Sequence, residues 1–220
     1  MKILGLNASP RGSKSQTLRL VQAVLEGAKS AGAEVELVDV CELDIKYCNA
    51  CQVCFQKGLC VHKDDFQGLY DKILAADGIV WGSPNYFHSV TAQMKTLIDR
   101  MADAIHCQLL TKKYCCSVAT GGNNYDQVTE YLSALMMNFG SFVTGSAGVK
   151  MSDGPKAFAD AERKALELGR SLAEDIRTRR DYIEQREMQE ETRDYFQSLV
   201  KMHQKDWEHE YEYWNRLNWS

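Results

Sequence analysis

Four of the eight cysteines in this 220-residue chain fall between positions 48 and 60. Cys48, Cys51, Cys54 and Cys60 are spaced C-x2-C-x2-C-x5-C. Two-residue gaps bring successive thiols round one turn of backbone, so the group can converge on one centre. Thiolates that close repel one another, or oxidise, unless a cation holds them. A compact run of this kind suits an iron–sulfur cluster. Structural zinc normally draws on two separated Cys or Cys/His pairs, and no second pair lies nearby. Disulfides need an oxidising compartment, and free thiols filling a loop stay open as a further reading. Cys41, Cys107, Cys115 and Cys116 show no ligand spacing among themselves. The Cys115–Cys116 pair sits in an apolar run and reads as core.

The rest of the chain must position that run. Hydrophobic residues make up 45% and charged residues 25%, ordinary for a globular protein. The net charge of −4 and the lack of a basic stripe argue against nucleic acid. The apolar run at the N-terminus is interrupted by Asn7 and Arg11, which does not suit a signal peptide. No apolar run approaches the roughly 18 residues of a membrane span. These features predict a reducing, cytoplasmic setting with no membrane partner.

Short apolar runs alternate with helical periods. Strands are expected at Ile3–Asn7, Val35–Val40, Gly78–Gly82, Tyr114–Thr120 and Phe142–Val149. Between and after them, apolar residues recur at helical spacing, as at Leu18, Val21, Leu25 and Ala28. Gly32 is placed to close that first helix, and Asp64-Asp65 to open another. Five strands alternating with five helices predict an α/β, doubly wound parallel sheet covered on both faces. Its order is either flavodoxin-like (2-1-3-4-5) or the start of a Rossmann fold. A ligand crevice then lies beyond the carboxyl ends of the strands.

Three loops reach that crevice. The first holds Ser9, Pro10, Arg11, Ser13, Ser15, Gln16 and Thr17. Its hydroxyls, guanidinium and helix N-terminus suit a phosphate monoester. Neither a Walker A loop nor a dinucleotide fingerprint is present, and Ser13 or Ser15 could simply cap the helix. The second holds Ser83, Pro84, Asn85, Tyr86, Phe87 and His88. With Trp81, its aromatics suit a planar ring, or they cover the sheet end. His88 has no partner visible in the sequence. The third, Thr120-Gly121-Gly122-Asn123-Asn124, lets backbone approach a flat ligand, although its polar residues could only cap the next helix.

These residues resemble a known family. Ser9-Pro10-Arg11 with Ser15 and Thr17 resembles the phosphate loop of the flavodoxin-like NAD(P)H-dependent FMN reductases. Ser83-Pro84-Asn85-Tyr86, followed by Ser89, Lys95 and Asp99-Arg100, resembles that family's second flavin loop. The cysteine run is similar to that of its iron–sulfur flavoprotein branch, and its x2 gaps to those of bacterial ferredoxins. In the ferredoxins the fourth cysteine follows after three residues and precedes a proline. The resemblance covers about residues 1–150 and implies a flavodoxin-like fold with strand order 2-1-3-4-5. It implies FMN and a [4Fe-4S] cluster in a homodimer or homotetramer. Cys48, Cys51, Cys54 and Cys60 would hold the cluster. Ser9, Arg11, Ser15, Gln16 and Thr17 would hold the phosphate. Ser83, Pro84, Asn85, Tyr86 and Phe87 would line the ring, with Thr120, Gly121 and Gly122 opposite. The implied activity passes electrons between a donor, ferredoxin or NAD(P)H, and a small acceptor such as a quinone, oxygen or a flavin. A cluster-free FMN or quinone reductase and a non-enzymatic carrier or sensor are the alternatives. No catalytic side chain can be named.

Residues 1–176 form the expected flavin domain, and 177–220 a C-terminal helical extension. Phe196, Leu199, His203, Trp207, Tyr211, Trp214 and Leu217 recur at three or four residues, as one helical stripe. So aromatic a surface is expected to pack on its own domain or on another subunit.

Overall fold

The computed structural model describes residues 1–219. Five parallel strands run through it: β1 (Lys2–Asn7), β2 (Glu34–Asp39), β3 (Gly78–Pro84), β4 (Tyr114–Gly121) and β5 (Phe142–Lys150). Their order is β2-β1-β3-β4-β5. This is the flavodoxin-like alternative. The switch point falls between β1 and β3, where the connections leave on opposite sides of the sheet.

The helices are α1 (Gln16–Ser30), α2 (Val53–Lys57), α3 (Phe66–Ala75), α4 (Ala92–Arg100), α5 (Ala102–His106), α6 (Tyr125–Asn138), α7 (Gly154–Thr178), α8 (Ile183–Met202) and α9 (Glu208–Arg216). Alternate strand residues face opposite ways. Leu4, Leu6, Ile79, Trp81 and Cys115 enter one core with residues of α3, α4 and α6. Ile3, Val80, Cys116 and Val118 enter the other, with α1 and α7. Cys107, Cys115 and Cys116 are buried, as expected of small apolar residues, and Cys41 is half-buried.

Helices α1 and α7 touch through two glycines. A Cβ on Gly27 would lie 1.9 Å from the Leu166 carbonyl oxygen, and one on Gly169 would lie 1.9 Å from that of Val24. The backbones themselves are therefore in contact. This fixes the seating of α1, whose N-terminus carries Ser15, Gln16 and Thr17.

Two expectations change in detail. Helix α7 runs to Thr178, two residues past the expected domain limit. The aromatic stripe is not one helix, because residues 203–207 turn the chain between α8 and α9. Both helices pack on the chain's own domain: α8 on α5, α6 and β5, and α9 on α2. Among the described residues, no helix is long and apolar enough to cross a membrane.

Candidate functional site

The carboxyl ends of β1, β3 and β4 open on a cleft of about 230 Å³. Ser9, Arg11, Gln16, Thr17, Pro84, Asn85, Tyr86, Thr120, Gly121 and Gly122 line it, joined by Met151. Ten of the expected contact residues thus meet in one place. Met151, in the turn after β5, was not expected. The signal was available, since a fifth parallel strand also points its carboxyl end at the crevice. A larger cavity of about 820 Å³ lies at the opposite end of the sheet, beside Met1, Asp77 and Tyr114. It gathers none of the crevice loops.

Three expected residues stand apart from the cleft lining. Ser15 caps α1, its Oγ accepting from the Leu18 N–H at 3.0 Å. Ser83 is fully buried, donates to the Pro84 carbonyl and accepts from the Thr91 N–H. It ties the end of β3 to the start of α4. Phe87 is fully exposed on left-handed backbone. His88, for which the sequence offered no partner, has its Nδ1 within reach of Gln127 Oε1 at 3.0 Å, to which it donates when protonated, and of Asn124 Nδ2 at 3.1 Å, from which it accepts when not.

The groups lining the cleft are of the kinds that a phosphate and a polar ring edge bond. The first N–H groups of α1 have no carbonyl within the helix to bond, and the dipole there favours an anion. Arg11 adds a charge, and Ser9 and Thr17 add hydroxyls. Thr17 Oγ1 and Thr120 Oγ1 lie 2.7 Å apart, linking the first and third loops. Asn85 bridges the second and third loops, its Nδ2 donating to the carbonyls of Asn123 and Asn124 at 2.8 and 3.0 Å. Its Oδ1 is buried without a partner. A buried acceptor left open in a cleft is matched by a ring N–H such as the flavin pteridine edge carries. A Cβ on Gly121 would lie 2.7 Å from Asn123 O and 3.0 Å from Asn85 Cβ, so only glycine leaves this bridge intact.

The four cysteines of the compact run line a second cavity, with His62, Asp99, Arg100 and Ala102. All four thiols are free; Cys48 and Cys51 are exposed, and Cys54 and Cys60 half-buried. Ala50 and Gln52 adopt left-handed backbone, which coils the run around the cavity. The Ala50 N–H donates to Cys48 Sγ at 3.4 Å. Burial, then the carboxylates of Asp103 and Glu210, push the Cys54 thiol up to about 12.

Arg100 closes this cavity from the end of α4. Its guanidinium donates to the Lys46 carbonyl at 2.8 Å and to both Asp64 oxygens at 2.7 and 3.2 Å. Lys46 and Asp64 flank the cysteine run on either side, so one side chain pins both ends of the loop. Burial alone would push Asp64 up. Hydrogen bonds from Arg100 and from the Lys46 and Phe66 N–H groups outweigh it and hold the carboxyl at about 2.

Donor type and number fit a thiolate-held cluster. Two buried nitrogens without partners, His62 Nε2 and Arg100 Nε, belong to residues lining the same cavity. Sulfur anions are the acceptors such groups lack. Among the described residues, no three His, Cys, Asp or Glu side chains converge closely enough to hold a single metal ion. The space between the thiols, about 20 Å³, holds little more than one water.

Residues 1–156 match the family of NADPH-dependent FMN reductases. The chain belongs to this family. It is accordingly a flavin-dependent oxidoreductase that binds FMN. An iron-sulfur flavoprotein of Archaeoglobus fulgidus is 34% identical over 177 residues, which span 79% of this chain and 80% of the relative. A second Archaeoglobus protein of that name is 38% identical over 126 residues, 56% of this chain and 61% of its own length. An iron-sulfur flavoprotein of Clostridioides difficile is 30% identical over 154 residues, 68% of each chain. Among solved structures, an NAD(P)H:quinone oxidoreductase of Methanothermobacter marburgensis superposes with a TM-score of 0.62 at 18% identity. The overlay covers 78% of this chain and 96% of that one. At that identity the likeness speaks for the fold alone. Helices α8 and α9 lie outside the matched family segment.

Proposed function

We propose that the chain is an iron–sulfur flavoprotein, passing electrons between FMN in the β1–β3–β4 cleft and a [4Fe-4S] cluster held by Cys48, Cys51, Cys54 and Cys60. The observation that carries this reading is the gathering of all four thiols around one cavity whose other walls offer two unpartnered nitrogens. When bound, FMN exchanges electrons as a hydride or singly and the cluster exchanges them singly, so the pair converts between the two kinds of chemistry.

The protein's own part is placement. Arg11, Gln16, Thr17 and Ser9 would anchor the phosphate at the N-terminus of α1. Asn85, Gly121 and Gly122 would hold the ring edge, and Tyr86 would cover its face. Arg100 would fix the span of the cysteine loop. The donor in this reading is NAD(P)H or ferredoxin, and the acceptor a small oxidant such as a quinone. Free thiols suit a reducing, cytoplasmic compartment. A homodimer or homotetramer would cover the exposed Tyr47, Leu59, Tyr86 and Phe87. In the same reading, residues 177–219 are a helical extension that packs on the flavin domain.

A cluster-free FMN reductase is the second reading, favoured by the small space between the thiols. Anaerobic purification with flavin and iron counts separates the two. The expected result is one FMN and about four irons per chain, with Cys51→Ser losing the iron and keeping the flavin. FMN without iron in the parent protein establishes the second reading instead.

A further inference from the structure

We propose that α9 and the turn before it form a cap that positions the cysteine-bearing helix α2, so that the C-terminal segment is part of the cluster site. The proposal rests on the cysteines being cluster ligands, but its geometry stands without iron.

Helix α2 has five residues, too few to hold themselves in helical form. Cys54 lies within it and Cys60 just beyond. Something outside must fix it, and the contacts identify what does. Phe55, next to Cys54, has its ring 4.7 Å from His106 and 4.8 Å from Trp207. Trp207 is buried and stacks on both His106 and His203, at 4.9 and 4.2 Å. A third hydrophobic cluster, built on Val200, Trp207 and Trp214, takes Phe55 as its one member from outside residues 177–219.

Polar contacts lock the same arrangement. The Glu210 carboxylate is fully buried and lies 3.0 Å from His106 Nδ1. Trp214 Nε1 donates to the His106 carbonyl at 3.2 Å. These bonds fasten α9 to α5, with α2 lying against both. At the far end of α2, Gly58 closes the helix in left-handed backbone, and its N–H donates to the Cys54 carbonyl at 2.8 Å. A Cβ there would lie 2.4 Å from the His209 ring. The imidazole occupies the space a side chain would need. The cap therefore touches the chain at two points just after Cys54, through Phe55 and Gly58. It also brings the Glu210 carboxylate near that thiol.

Trp207 and His209 are positioning residues, and their removal is expected to free Cys54 without disturbing the flavin. The test uses the full chain. In metal-free protein, iodoacetamide alkylation of Cys54 is followed by mass spectrometry. In iron-loaded protein, bleaching of the visible cluster absorbance by a chelator is followed in parallel. Trp207→Ala is expected to raise both rates roughly tenfold or more by local opening, with FMN retained at one per chain. Trp207→Phe should restore the parent rates. Should Trp207→Ala also lose FMN, His209→Ala, which removes only a half-exposed ring, decides by the same alkylation rate, with a smaller rise expected. Unchanged alkylation of Cys54 in the variants overturns the cap. A parent protein that takes up no iron overturns the cluster reading alone, because alkylation still reports on the cap.

Discussion

Arg100 and Asp64 form a buried ion pair, their side chains 1% and 0% exposed. Removing one partner from such a pair leaves an uncompensated charge out of water, at a cost of about 3 kcal/mol or more. Arg100 also lies with its guanidinium 4.5 Å over the Phe66 ring. Because Asp64 is held at about 2, below its unfolded value, its contribution is complete above the unfolded pKa of about 4. It fades as the pH falls through the folded value. Asp64→Asn is therefore expected to lower the denaturant midpoint at pH 7. The gap to the parent protein should close between about pH 4 and pH 2. A gap that stays constant over that range removes the ion pair as its cause. The sequence pointed to Asp64 as a helix start, and its Oδ1 does accept from the Phe66 N–H at 3.2 Å. Nothing there pointed to Arg100 as its partner, since the two meet only once α4 has folded back over the loop.

At the scale of elements, most of the sheet was legible. Each strand is a short apolar run between turn residues, and burial on both faces makes such runs continuous. The expected strands agree with the observed ones to within two residues at each end. Less legible were features that depend on a neighbour. Gly27 sits inside a helix, where alanine would be favoured by about 1 kcal/mol on propensity alone. Packing reverses that preference. An added methyl would lie 1.9 Å from the Leu166 carbonyl oxygen, and overpacking of this kind costs about 3 kcal/mol. Gly27→Ala is expected to destabilise by about 2 kcal/mol net, seen as a lower thermal midpoint. It should also weaken FMN binding, because α1 is forced off α7 and carries with it Gln16 and Thr17 of the cleft lining. A stabilised variant shows that the helices separate at little cost. Helix α2 was missed for a similar reason: five residues carry no period, and their helical form depends on α5 and α9.

Across the whole molecule, the cleft and the cysteine cavity differ in how far they could be foreseen. The cleft is made of loops that follow strands, and topology alone gathers strand ends. Ten of its expected residues meet there for that reason. The cysteine cavity was legible in its thiols but not in its walls. Arg100 comes from α4 and was read only with the second flavin loop, and Trp207, which backs α2 through Phe55, comes from the far end of the chain. The aromatic tail signalled burial through its stripe, but its partner, Phe55, lies about 150 residues away.

That separation sets an order of assembly. On a ribosome the cleft at the carboxyl ends of β1, β3 and β4 is complete once Met151, and α7 that seats α1, have emerged. The cysteine loop has its supports only when Trp214 has followed. A chain in the course of synthesis therefore passes through a stage at which it can take flavin while its thiols are still loosely held. Iron loading at that stage would meet a mobile loop, and the C-terminal helices would then close behind it.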